Sequence, residues 1–217
     1  MAVISSVDTV AAAGKSVSPG EEGRFDADFS DHDLARIPVT STLSPRLFPI
    51  ERVSQRSRPV ETLRDERLRA VHAYWQARRG VHEMPGRADI RPEDLCRSLG
   101  WINLIDVRPQ LPAFRFRLVG TGVVQAYGRD VTGRSVRDLM PPDYAELVHA
   151  AFAEAVRLRR PVLHELQFSD GWKTHTMRRL TLPLTSDGSA VDMLMTVASL
   201  PPELQHHREP NGLRSGI

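Results

Sequence analysis

Residues 118–135 read LVGTGVVQAYGRDVTGRS, and the fold turns on what the glycines at 120, 122, 128 and 133 do. The stretch follows FRFRLV (114–119), where Phe114, Phe116 and Leu118 alternate with Arg115 and Arg117. That is the period of a strand with one apolar face. A glycine loop between strand and helix cradles a phosphate when it reads GxGxxG and opens a long helix, with an acid about 20 residues further on. Here Gln125 occupies the place of the third glycine, and the helical turn is cut short at Gly128. Little helix dipole is left to face an anion. The glycines therefore read as turn points. Gly120 and Gly122 let the chain leave the sheet, while Gly128 and Gly133 end two short helical turns.

Working outward, WINLIDV (101–107) and the 114–119 strand flank a proline-containing turn and form a hairpin. PPDYAELVHAAFAEAVRLRRP (141–161) is a helix opened by prolines, with acids in its first turn and arginines in its last. At 100° per residue its buried stripe is Ala145, Val148, Phe152, Ala155 and Val156. Strands are expected at 161–168, 172–184 and 191–200, joined by SDG and TSDGS turns. ETLRDERLRAVHAYWQARR (61–79) is a further helix, ending at Gly80 and carrying Leu68, Val71 and Trp75 on one stripe. Helix and strand do not alternate as parallel βαβ units require. The expected fold is α+β, with a five-stranded antiparallel sheet and helices over one face.

Residues 1–60 hold no sustained period and few large apolar side chains, so they read as a largely disordered segment. Within them RIPVTSTLSPRLFPIERV (36–53) could dock as an extended strand. The expected domain is 61–200, and 201–217 reads as a flexible polar tail.

Composition narrows the function. Twenty-nine basic against 27 acidic residues give a net charge of +2, with no basic cluster interleaved with aromatics, so a nucleic-acid partner is not expected. No apolar run approaches the roughly 20 residues of a membrane span. No basic region opens the sequence as a secretory signal would, and the lone Cys96, read as a small packed residue, fits a reducing cytoplasm. The eight histidines lack metal-ligand spacing, and no nucleophile elbow is present, so neither a metal site nor catalysis is expected. His164 draws attention because it alternates with Val162, Leu166 and Phe168 on the apolar face of a strand.

The segment from Tyr74 to about Leu200 resembles the PAS-fold family, in its PAS_5-type group of alphaproteobacterial single-domain proteins. The resemblance rests on YW (74–75), PGRADIRPEDL (85–95), INLIDV (102–107) and FRFRLVGTGVVQAYGRDVTGRSVRDLM (114–140). It implies a non-enzymatic sensory or interaction module, homodimeric, acting on a partner protein or small ligand. Such domains hold ligands between sheet and helices, which makes Phe116, Leu118, Tyr127, Val148, Phe152, His164, Leu166, Met193 and Met195 the candidate pocket. Helices preceding PAS cores often pair two copies. Leu68, Val71 and Trp75 could form that dimer seam or pack on their own sheet, and the sequence leaves both open. Haem-binding members take an axial histidine from the long helix. His149 falls one residue late, a rotation of about 100°, so no haem or other cofactor is expected. An enzyme with an unrecognised site, or a purely structural interaction domain, are the alternative readings.

Overall fold

The computed structural model describes residues 37–38, 52–108, 113–127, 130–139, 142–169 and 174–201. In chain order the elements are β1 (Ile37–Pro38), β2 (Arg52–Arg58), α1 (Glu66–Arg79), β3 (Ile102–Val107) and β4 (Phe114–Leu118). They continue as α2 (Thr121–Tyr127), α3 (Val136–Leu139), α4 (Pro142–Leu158), β5 (Val162–Ser169), β6 (Thr174–Leu184) and β7 (Met193–Ser199). Every strand pairing is antiparallel, in the order β1-β2-β5-β6-β7-β3-β4.

The five expected strands are all present, but the sheet is larger. β2 comes from the segment read as disordered, pairing along β5 from Arg52↔Ser169 to Arg58↔Leu163. Its alternation explains why: Val53 and Gln55 are buried, while Arg56 and Arg58 on the opposite face are exposed. The two-residue β1 adds to β2, within the stretch expected to dock as a strand. The rest of 1–60, and 202–217, lie outside the described residues.

The helix expected from Glu61 begins at Glu66. Asp65 caps it, its Oδ1 accepting the Leu68 N–H at 3.0 Å, and Val60–Thr62 forms a separate 3₁₀ turn. An N-cap carboxylate satisfies one of the free amides of the first turn, so the start is set there and not a turn earlier. Leu68, Val71 and Trp75 are buried against β6 and β7, and Trp75 Nε1 donates to the Pro183 carbonyl at 2.9 Å. The stripe proposed as a dimer seam is therefore spent on this chain's own sheet. PEDLCRSL holds a 3₁₀ turn at Pro92–Leu95; Leu95 is buried and Cys96, expected to be packed, is exposed.

The glycine question has a steric answer. A Cβ on Gly120 would lie 2.4 Å from the Gly100 carbonyl oxygen, and one on Gly122 would lie 2.8 Å from the Trp101 ring. Only glycine lets the entry to α2 pack this closely on the Leu99–Trp101 turn. The Gly120 N–H donates to Asn103 Oδ1 at 3.1 Å, which ties the loop to the sheet and leaves that amide unavailable to a phosphate. Gly133, at φ 83°, turns the chain so that 133–134 hydrogen-bond to Phe116 along the open edge of β4. Gly128 lies outside the described residues.

Candidate functional site

Helices cover both faces of the sheet, and the register sorts the pocket candidates between them. Residues directly opposite in an antiparallel pair share a face, and successive residues alternate. His164 faces α4, because its Nε2 meets Glu154 of that helix at 2.9 Å. Arg179 stands opposite His164, so Met177 and Thr181 share the α4 face, while Leu180, Leu182 and Leu184 lie on the α1 face. Met195 pairs with Leu182 and Met193 with Leu184, which puts both methionines beneath α1. Of the nine candidates, Phe116, Val148, Phe152, His164 and Leu166 line the inner face between sheet and α4. Met193 and Met195 do not. Leu118 pairs with Leu104 past an irregularity in β3 and is 45% exposed, so it too leaves the set. The side chain of Tyr127 lies outside the described residues.

The inner face also gathers polar groups that the candidate set omitted. His164 is 2% exposed. Glu154, its partner, also accepts from Ser57 Oγ of β2 at 3.4 Å. Gln55 of β2 donates to the Leu147 carbonyl of α4 at 3.1 Å and accepts from Arg179 of β6 at 2.8 Å. The Arg179 guanidinium lies 5.3 Å from the centre of the Phe152 ring, a cation–π contact. These bonds tie the long helix to three strands, β2, β5 and β6. Matched hydrogen bonds of this kind favour one packing arrangement, whereas each unmatched buried group costs about 1–3 kcal/mol. His149, on the other flank of α4, sets its ring edge-on to Phe114 with 4.9 Å between centres.

Burial holds His164 below the ordinary histidine value, and the charge of Arg179 adds to this against the opposing pull of Glu154. Burial works against the Glu154 charge, but hydrogen bonds from His164 and Ser57, with Arg157 nearby, outweigh it and keep that carboxyl low. Near neutrality the pair is therefore a neutral imidazole donating from Nε2 to a carboxylate. The sign of its pH dependence follows. Below the unperturbed histidine value of 6.5, the unfolded chain binds a proton that the folded chain refuses, so stability falls with pH. Glu154 adds to the loss as pH falls below the ordinary 4.5, where the unfolded carboxyl protonates first. His149 and His72, both lowered by burial, act in the same direction as His164. His164→Gln, which keeps a donor to Glu154 but cannot titrate, is expected to flatten the fall below pH 6.5. The difference is at most about 1.4 kcal/mol per pH unit. Urea denaturation midpoints across that range measure it, and profiles of equal slope would place the titration elsewhere.

The order of contacts limits the chemistry. Activation of a serine needs the imidazole between hydroxyl and acid. Here Glu154 sits between Ser57 and His164, so the histidine has no proton path from Ser57. The PAS_5 family model, described as a PAS domain, matches residues 63–198. The chain belongs to the PAS domain family. The PAS match spans more than half of the sequence and takes in every element from α1 to β7 apart from Ser199, the last residue of the final strand. β2, which supplies Gln55 and Ser57, precedes the matched region. No curated protein matches the chain. Membership places it among sensory and signalling modules, and among the described residues no helix is long and apolar enough to cross a membrane.

Proposed function

We propose that this PAS domain is a non-enzymatic sensor that takes up a small ligand between the sheet and α4 and passes the change to a partner protein. The observation that carries it is the partly buried polar network joining Leu147 and Glu154 of α4 to Gln55 and Ser57 of β2. A ligand that moves α4 must strain or break these bonds, and β2 lies near the sheet edge, where a rearrangement can be read from outside. Homodimerisation fits the family, and it must use a surface other than Leu68, Val71 and Trp75. The contact order around Glu154 supports a sensing role over hydrolysis.

Native mass spectrometry of protein purified from its own host, with an absorption spectrum alongside, tests this reading. Expected is a dimer carrying a small bound molecule. A colourless, ligand-free monomer would overturn it.

A further inference from the structure

Of the buried polar atoms on the inner face with no hydrogen bond among the described residues, the register makes two neighbours. One is Nδ1 of His164, the other Oγ1 of Thr181. His164 stands opposite Arg179 and Thr181 opposite Val162, so Thr181 is the diagonal neighbour of His164 on the same face. Diagonal Cα atoms in such a pair are about 7–8 Å apart, a span that one intervening group can bridge.

The two atoms are complementary in hydrogen-bonding character. Nε2 of His164 donates to Glu154, so Nδ1 carries a bare lone pair. The Thr181 hydroxyl has a proton to give and lone pairs to receive. Beyond Thr181 the row continues: Thr196 lies directly opposite, and its Oγ1 accepts from Asn103 Nδ2 at 3.4 Å. Asn103 in turn holds the Gly120 N–H. A polar row thus starts in the glycine loop, crosses three strands, and stops one partner short of the His164–Glu154 pair.

One hydroxyl group completes it. Its O–H donates to Nδ1, and its oxygen receives the Thr181 proton. A carboxylate would instead set a negative charge against the Nδ1 lone pair, and an ammonium would enter beside the Arg179 guanidinium. The flanking side chains Val162, Leu166 and Phe152 suit an apolar body. We propose that the inner face binds an uncharged small molecule through a single hydroxyl held between His164 Nδ1 and Thr181 Oγ1. This rests on the ligand-sensing reading above and names the chemistry of the ligand.

The test is nitrogen NMR of the full chain labelled at histidine, titrated with phenol, toluene and benzoate. Phenol is expected to move the His164 Nδ1 resonance saturably. Toluene, of the same shape without the hydroxyl, and benzoate should bind at least tenfold more weakly and leave Nδ1 in place. Thr181→Val should weaken phenol at least tenfold, while raising the melting temperature of the probe-free protein by removing an unmatched hydroxyl. Phenol and toluene binding alike, without movement of Nδ1, would sink the hydroxyl anchor and leave ligand sensing standing. An Nδ1 resonance already hydrogen-bonded before titration and unmoved by phenol would mean a bound water only, and would overturn the proposal. Failure of all three probes to bind would also overturn it, with native mass spectrometry deciding separately whether any ligand is sensed.

Discussion

Gly120→Ala is expected to destabilise the fold more than any other single-methyl addition considered. The new Cβ would stand 2.4 Å from the Gly100 oxygen, 2.6 Å from the Gly100 carbonyl carbon and 2.8 Å from the Ile102 oxygen. All three are backbone atoms, so no side chain can swing aside, and either β3 or the entry to α2 must move. The Gly120–Asn103 hydrogen bond is lost with that movement. The cost is expected at or above the ~3 kcal/mol upper end of ordinary overpacking, read from urea denaturation. Gly188→Ala is the control. Gly188 has φ 81° with nothing within 4 Å of the added carbon, so it meets only left-handed backbone strain, about 1–2 kcal/mol. Equal losses for the two variants would show that close packing at Gly120 is not what the loop requires.

Trp75→Ala should cost about 3–5 kcal/mol, the range for removing a large aromatic from a core. The indole is 1% exposed beneath the sheet, and its loss also strips the Pro183 carbonyl of its donor. Trp75→Phe should fall between wild type and alanine, since it restores packing but not the hydrogen bond. The readout is subunit stability. A Trp75→Ala protein of wild-type stability that had lost only its ability to pair with a second copy would return α1 to an interface. With the side chain buried by its own β6 and β7, the intramolecular loss is the expected result.

These two positions differ in how far the sequence could be read. The stripe Leu68, Val71 and Trp75 showed in the helical period, yet the pattern of a seam is the same whether a sheet or another helix covers it. The glycines were legible as turn points, but the close approach of Gly100 and Trp101 was not, because those residues come from a separate turn some 20 positions upstream. The inner-face site was legible in part. His164 announced itself by sitting among apolar residues in a two-residue period, and Phe152 by the stripe of α4. Gln55 and Ser57 were missed because their strand is seven residues long and polar at most positions, so it lacks an apolar signature. Its alternation, charged outward and smaller or neutral inward, was the signal available. Arg178 and Arg179 were ambiguous for a different reason. Adjacent residues of one strand face opposite ways, and nothing local says which arginine is buried.

The sequence by itself determined the elements from α1 to β7, their antiparallel arrangement and the family, because periods of 2 and 3.6 and glycine punctuation are local properties. Tertiary structure alone decided which face each side chain joins. Met193 and Met195 went beneath α1 and Arg179 beneath α4, since face depends on register, and register depends on strands far apart in the chain. The same register set beside each other an imidazole nitrogen and a hydroxyl that have no partner among the described residues, which no spacing in the sequence could show.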